Sequence, residues 1–284
     1  MASSVAGAIE PKLRQTEIER SNRKPTESLD AYDLYLQAQA GLHRFTAESL
    51  VDAIALLKRA LAIDPSYAPA AAMIGYCRAI QLTHGRMVLS ADEIADSVRL
   101  ARSALEKVRN DPDTIIWASW TLLRLAGETA LAATLVDRAV ALNPSAALAW
   151  VSKGWFHAVR NQPEAAIEAL ERGQRLSPSD PLGYFAFAGL AFAHLAAHRF
   201  EETSEWADRS LRDAPRYFQP MVVKLTANAH LARLGEVRAD LARLVAAYPG
   251  STIAGRARTA IRSFAPGLVD LIVGGLRLAG LPEE

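Results

Sequence analysis

The fold is decided by one stretch of the sequence, WVSKGWFHAVRNQPEAAIEALERGQRLSP at residues 150–178. Small residues stand at Gly154, Ala166 and Gly173, and Pro178 follows them. Small side chains allow two antiparallel helices to approach closely, whereas a proline cannot continue a helix. We therefore interpret the stretch as a pair of helices that ends before Pro178, and we expect that proline to start the next helix.

The same spacing recurs along most of the chain. The four marked positions in residues 150–178 are separated by 12, 7 and 5 residues. The other copies with these intervals are Gly41–Ala53–Ala60–Pro65, Trp120–Ala132–Ala139–Pro144, Ala191–Thr203–Ser210–Pro215 and Leu225–Val237–Leu244–Pro249. Consecutive prolines are 79, 34, 37 and 34 residues apart. A period of 34 residues is that of a tetratricopeptide helix–turn–helix.

The interval of 79 residues leaves room for one further helix pair. Residues 67–83 indicate its first helix, with Gly75 at the small position. The sequence Ser90-Ala-Asp-Glu93 is a capping-box pattern, so we expect the second helix to begin at Ser90. Ala104 then takes the second small position, and residues 84–89 form a loop between the two helices.

These features resemble the tetratricopeptide repeat superfamily over roughly Asp30–Gly250. The resemblance implies an all-α fold, a right-handed α-solenoid of about six helix pairs. We divide the chain into an N-terminal linking helix and linker (1–29), the repeat domain (30–250) and a C-terminal capping segment (251–284). The pattern departs from the family at Trp120 in the third pair and at Leu225 and Val237 in the last.

The ends of the chain carry a narrower resemblance. The sequences RKPTESLDAYDLYLQA at 23–38 and GLRLAGLPEE at 275–284 are similar to the C-terminal repeat region of bacterial class III adenylate cyclases and related transcriptional regulators. The resemblance implies a regulatory role and no cyclase activity, because the catalytic α/β domain and its metal-binding carboxylates have no counterpart here. The chain is then either a stand-alone protein or a shortened form or fragment of a larger one.

Composition excludes several classes of protein. Half of the residues are hydrophobic, with alanine dominant, which favours closely packed helices over sheets. The net charge of +1 gives no general field for nucleic acid or anionic lipid, so we expect no direct binding to either. The single cysteine, Cys77, fits a reducing compartment. The apolar stretch 268–281 is too broken to span a bilayer, and no signal-peptide pattern opens the sequence. We expect a cytoplasmic protein.

No arrangement of residues predicts catalysis, a cofactor or a metal. The sequence has no phosphate-binding glycine loop, no dinucleotide fingerprint and no nucleophile elbow. His194 and His198 have the spacing of two ligands on one helical face, but no carboxylate or cysteine stands at a matching position. We interpret them as polar residues near a helix end, and Cys77 as a buried, inert thiol.

Aromatic residues mark the candidate partner-binding surface. The register places Tyr76, Trp117, Trp155 and Phe192 on equivalent turns of successive first helices, with Tyr35, Val151 and Phe185 at neighbouring positions. In a solenoid of this kind the first helices line the concave groove, and large apolar groups there suit an apolar peptide or helix. Packing within and between helix pairs is the alternative role for each of them. Lys, Asn and Arg are absent from these turns, which argues against a clamp for the carboxylate of a chaperone tail.

Two hypotheses for function remain open. The first is a non-catalytic protein–protein interaction scaffold in bacterial signalling, with a protein or peptide segment as partner. The second is a regulatory module, or the remnant of one, that acts with an adenylate cyclase or a DNA-binding regulator domain. A basic region at 209–262, with ten Lys or Arg and three acidic residues, is either a patch for an acidic partner or a set of solvated helix faces.

Overall fold

A computed structural model of the chain describes Leu13, Glu17 and residues 30–284, except residues 45, 84–87, 109, 179 and 181 and the side chains of 43, 44, 256 and 258. The predicted linking helix at 1–29 lies outside the described residues apart from Leu13 and Glu17, and so does most of the loop at 84–89. Contacts divide the chain into two compact units. The first holds the helices up to residue 142 apart from Thr83, and the second holds residues 150–174 and 182–284.

The described part of the chain is built from paired helices and contains no strand. The first helices of the pairs are α1 (Ala31–Arg44), α3 (Ala68–Thr83), α5 (Pro112–Thr121), α7 (Ala147–Val159), α9 (Gly183–Ala196) and α11 (Phe218–His230). The second helices are α2 (Ala47–Ile63), α4 (Ala91–Lys107), α6 (Thr129–Leu142), α8 (Pro163–Leu176), α10 (Phe200–Asp213) and α12 (Leu234–Ala247). The chain ends with the short α13 (Arg258–Ile261) and with α14 (Pro266–Leu278). The six pairs are those that the repeat predicts.

The repeated prolines lie in the turns that follow the second helices. Pro65 is exposed and stands two residues after the end of α2, and the other four prolines have the same position after α6, α8, α10 and α12. In the first of these turns the Asp64 carboxylate accepts hydrogen bonds from the backbone and hydroxyl of Ser66, which lower its pKa. The expectation that each proline starts the next helix was wrong. The next helix begins three or more residues later, because the turn needs those residues to reverse the chain.

Small residues bring the two helices of a pair together, as the spacing predicts. A Cβ atom on Gly154 of α7 would lie 2.9 Å from the carbonyl oxygen of Ala166 and 2.4 Å from the Leu170 side chain. Both distances are shorter than real contacts, so only glycine allows this approach. The other small positions Gly41, Ala53, Ala60, Ala132, Ala139, Ala166 and Gly173 are buried as well.

The second and third pairs show how local sequence sets helix boundaries. The predicted capping box is present: the Ser90 hydroxyl accepts from the Glu93 amide, and the Glu93 carboxylate accepts from the Ser90 amide. In the third pair, where Trp120 breaks the pattern, α5 continues as a π-helical turn over Leu122–Ala126. Gly127, with φ 72°, ends that turn in the left-handed region that favours glycine.

The residues after α12 do not continue the repeat. A π-helical turn at Ile253–Ala257 and α13 lead into α14, which packs along the first helix α11. The tail then returns: the amides of Ile253 and Ala254 donate to the carbonyls of Pro282 and Glu283. We call residues 253–284 the C-terminal segment. The proposed division of the chain at residues 30 and 251 stays a prediction.

Candidate partner-binding face

The positions that the register groups together do contact each other in the first unit. Tyr76 on α3 and Trp117 on α5 have ring centroids 4.7 Å apart. The Trp117 indole nitrogen lies 3.4 Å from the Tyr35 hydroxyl, to which the Gln39 amide also donates at 2.9 Å. Burial raises the pKa of Tyr76 to about 12. The three aromatic side chains are each less than a tenth exposed.

The equivalent positions of the second unit form a tighter cluster. Trp155 on α7 stacks on Phe185 with ring centroids 5.2 Å apart and contacts Phe192 at 5.3 Å. The Trp155 indole nitrogen donates a 2.9 Å hydrogen bond to the Phe185 carbonyl oxygen. Trp155 and Phe192 are both 0% exposed, and Phe185 is also buried.

Burial decides the immediate role of these side chains. A side chain without exposed surface contacts other residues of the chain and not a partner, unless something moves away from it. In this structure Tyr76, Trp117, Trp155 and Phe192, as well as Tyr35, Val151 and Phe185, therefore pack between helices. This is the alternative that the sequence left open beside the groove. Within each unit, the side chains that were grouped from neighbouring first helices contact each other.

The C-terminal segment covers part of the second unit's first helices. Residues Trp155, Phe192 and Thr226 occupy the same repeat position on α7, α9 and α11, and we call the surface at that position the first-helix face. Phe264 meets Phe192 edge-to-face with ring centroids 5.0 Å apart. One residue later, the amide of Ala265 donates to the carbonyl of Val159 at the end of α7, at 2.7 Å.

Helix α14 continues this contact along α11. The Thr226 hydroxyl donates to the Ile272 carbonyl at 3.4 Å. A Cβ atom on Gly275 would lie 2.4 Å from the methyl carbon of Thr226 and 3.0 Å from its Cα atom. The sequence predicted only a cap for these residues. The adjacent Gly274 and Gly275 in an otherwise apolar stretch were the available signal of a close helix–helix contact.

A partly buried polar cluster joins the last two helix pairs. Lys224 on α11 forms ion pairs with Asp208 at 2.8 Å and with Asp240 at 3.2 Å. Asp240 also accepts a 2.8 Å hydrogen bond from the side-chain amide of Asn228. Burial lowers the pKa of Lys224, but the hydrogen bonds and charges of the two carboxylates outweigh it and leave that pKa raised. The cluster connects α10, α11 and α12 and uses its charged groups internally.

The side chains that could act as a nucleophile or a metal ligand do not form a cluster in the described part of the molecule. Cys77 is fully buried, and burial raises the pKa of its thiol to about 12, so it is not a thiolate at neutral pH. His198 lies beyond the end of α9 with φ 57°, so it does not share a helical face with His194. No group of three or more His, Cys, Asp or Glu side chains is placed to hold a metal ion in the described ranges. Among the same residues, no helix is long and apolar enough to cross a membrane.

Cationic side chains stack on two partly exposed tryptophans of the second unit. The Arg172 guanidinium lies 4.6 Å from the Trp150 ring, and Arg209 lies 4.4 Å from Trp206. Arg209 belongs to the basic region at 209–262, where Lys224 is used in the buried cluster and Arg233 lies 3.7 Å from Glu201. These internal contacts reduce the charge that the region offers to an acidic partner.

Comparison with known proteins identifies the fold. No protein-family model and no curated protein matches the sequence. Among solved structures, a chain of the APC/C hetero-tetramer Cut9–Hcn1 matches with a TM-score of 0.61 and 15% identity over 92% of this chain. The present chain spans about half of that one, 47%.

Two shorter solved proteins match as well. A thermophilic tetratricopeptide repeat protein of Thermus thermophilus has a TM-score of 0.51 and 16% identity over 69% of this chain and 98% of its own. PilW, a type IV pilus biogenesis factor, has a TM-score of 0.51 and 18% identity over 77% of this chain and 94% of its own. Identities this low concern the fold alone, and they confirm the predicted fold class. The chain therefore has an all-α solenoid fold similar to that of tetratricopeptide repeat structures.

Proposed function

We propose that the chain is a non-catalytic protein-interaction scaffold, and that the first-helix face of its second unit is the partner site. One observation carries the proposal: the face already holds a polypeptide segment, since Phe264 packs on Phe192 and α14 packs on Thr226. A surface that accepts an aromatic ring and a closely packed helix in the same chain has the shape and the apolar character that a partner helix needs.

The four aromatic positions have different roles in this proposal. Phe192 and the equivalent Thr226 meet the bound segment directly. Trp155 lies beside Phe192 and supports it through ring contact and through its hydrogen bond to Phe185. Tyr76 and Trp117 form the corresponding pair of the first unit, where we propose a second contact surface for a peptide or protein partner.

We also propose where the protein acts. We place the scaffold in the cytoplasm and in bacterial signalling, where the resemblance of residues 23–38 and 275–284 to cyclase- and regulator-associated repeats supports it. The same resemblance supports a second candidate function, that of a regulatory module for an adenylate cyclase or a DNA-binding regulator domain. The proposal includes no cofactor and no catalytic residue.

The partner site is tested with matched arginine variants of the full chain. Proteins retained by the wild-type chain are identified by mass spectrometry and then produced pure for binding measurements. Thr226→Arg places a charge on the first-helix face, whereas Leu234→Arg places one on α12 at a side chain that is already 70% exposed. We expect Thr226→Arg to abolish binding and Leu234→Arg to preserve it, with both variants helical by circular dichroism. Equal binding by the two variants would exclude the first-helix face.

A separate assay distinguishes the scaffold from the regulatory module. The pure chain with ATP and Mg²⁺ should form no more cyclic AMP than a heat-inactivated control. Adding the wild-type chain to a separately produced class III cyclase catalytic domain should leave that enzyme's rate unchanged if the chain is only a scaffold. A change in rate that Thr226→Arg removes would instead establish the regulatory function.

A further inference from the structure

We infer that the C-terminal segment is a built-in competitor for the partner site, and that the external partner is a helix of the same chemistry as residues 264–275. This inference rests on the proposed function and names its partner class. Such a segment presents an aromatic ring to Phe192 just before its helix begins and, eleven residues later, a glycine to Thr226. The partner binds in place of the segment, so the chain alternates between a covered and a loaded state.

The contacts of the segment extend beyond those of a simple cap. Helix α14 packs on α11 of the last helix pair, as a cap would, but the segment also reaches back to two earlier first helices of the second unit. It touches Val159 at the end of α7, Phe192 on α9 and Thr226 on α11. Because Phe192 and Thr226 hold the same repeat position, the segment follows the line that a bound peptide would follow on this face.

The segment is also attached in a way that permits release. Helix α14 packs on α11 and on residues that precede it in the same segment. Its outer side is open: Leu278 is 68% exposed, and the ion pair of Arg277 with Glu283 lies at the surface. The contacts between α9 and α10 and between α11 and α12 are made by those helices themselves and not through α14.

A small residue is required where the two helices cross. A methyl group on Gly275 would collide with the Thr226 backbone at 3.0 Å and with its side chain at 2.4 Å. A methyl group on the adjacent Gly274 would meet no atom within 4 Å. Any helix that uses this site, internal or external, therefore needs glycine at the crossing point, and the two neighbouring glycines give a matched pair of test positions.

Gln219 gives a reason why an external helix can displace the C-terminal segment. It lies on α11 two helical turns before Thr226, at the position that Phe185 holds relative to Phe192 on α9. Its side chain is 0% exposed, and neither its amide nitrogen nor its amide oxygen has a hydrogen-bond partner in the described protein. A buried amide without partners is costly. A partner that supplies a polar group to Gln219 relieves this cost, which the covered state leaves in place.

The test supplies the segment as a separate molecule. The probe is a fluorescently labelled synthetic peptide with the sequence of residues 262–284, titrated into the full-length wild-type chain and into Gly275→Ala and Gly274→Ala variants. Both substitutions raise helix propensity equally, so only the clash at residue 275 separates them. We expect Gly275→Ala to bind the peptide at least tenfold more tightly than wild type, and Gly274→Ala to behave like wild type. A peptide that itself carries Gly275→Ala should not bind.

A second variant and a partner-binding measurement complete the test. If Gly275→Ala is not helical by circular dichroism, Phe264→Ala in the full chain replaces it, since that change releases the Phe192 end of the segment. Helical variants that do not bind the peptide, or a wild-type chain that binds it equally well, would overturn the inference. Binding of the identified partner then separates the two proposals. One result would separate them: Thr226→Arg blocks binding of the partner, but Gly275→Ala binds the partner no better than wild type does. That result would support the scaffold function and exclude the competitor role of the C-terminal segment.

Discussion

Trp155 is the residue at which core packing and partner binding make opposite predictions. If it is a groove anchor, Trp155→Ala weakens partner binding and leaves stability almost unchanged. If it is a core residue, the same change destabilises the second unit. The structure favours the second outcome, because the ring is 0% exposed and lies between Phe185 and Phe192.

The size of the loss follows from these contacts. Truncation of a buried tryptophan to alanine costs about 3–5 kcal/mol through lost burial and the cavity left behind. Trp155 belongs near the upper end of that range, because it also loses two ring contacts and the hydrogen bond to Phe185. Collapse around the cavity is limited, since Gly189 already packs its backbone against the indole and has no side chain to fill the space. We expect a loss of about 5 kcal/mol.

The assay is urea denaturation followed by circular dichroism, with Trp206→Ala as the matched control. Trp206 lies on α10 in the same compact unit, but it is only half-buried and stacks on Phe187 and Arg209. Its truncation should cost about 1–2 kcal/mol, because much of the ring is already in water. Because the chain has two compact units, the fit allows two transitions, and only the one that reports the second unit should shift.

The two variants together decide the question. A Trp155→Ala loss no larger than that of Trp206→Ala, about 1–2 kcal/mol, would mean that the indole is not packed in solution as described. The groove role of Trp155 would then be restored. A third variant, Trp155→Phe, keeps the ring contact and removes the hydrogen bond, and it should fall between wild type and Trp155→Ala.

The same urea titration tests three local contributions to stability, at Ser90, Gln219 and Lys224. Ser90→Ala removes the capping box of α4 and should cost about 1 kcal/mol; no measurable loss would mean that the cap does not form. Gln219→Met replaces a buried amide without partners and should leave stability equal or raise it by up to about 2 kcal/mol; a loss would reveal a hydrogen bond to the amide. Lys224→Met leaves Asp240 buried without its cation and should cost about 3 kcal/mol at pH 7. Since the folded pKa of Lys224 is raised, its contribution is fully present below the unfolded pKa of about 10.4 and disappears as the pH rises through the folded value. The difference between wild type and Lys224→Met should therefore be constant from about pH 7 to 9 and shrink only above about pH 10; an earlier decline would contradict the assignment.

The helix pairs could be predicted from the sequence because their causes are local. The intervals between Gly154, Ala166 and Pro178 report a close helix crossing and the turn after it, and all three lie within one pair. The Ser90 capping box needs only four consecutive residues. The role of the prolines was misjudged by a few residues, since the spacing alone does not distinguish the end of one helix from the start of the next.

The position of the C-terminal segment could not be predicted, because its causes are distant in sequence. Thr226 and Ile272 are 46 residues apart, and no local pattern states that they meet. The repeat register places Phe192 and Trp155 at the same position of neighbouring first helices, and the two rings are in contact. It contains no information about the C-terminal segment that covers Phe192. The π-helical turn at Leu122–Ala126 has the same kind of explanation: Trp120 showed an interrupted pattern, and the response of the backbone depends on the surrounding packing.

The Lys224 cluster has a consequence for how the last two helix pairs can move. Ion pairs and hydrogen bonds are directional, and those of Lys224 and Asn228 with Asp208 and Asp240 break if α11 shifts by even a fraction of a turn. These directional bonds hold α11 in one register between α10 and α12. In the proposed exchange, a helix that docks on Thr226 would therefore meet a helix whose position the Lys224 cluster fixes.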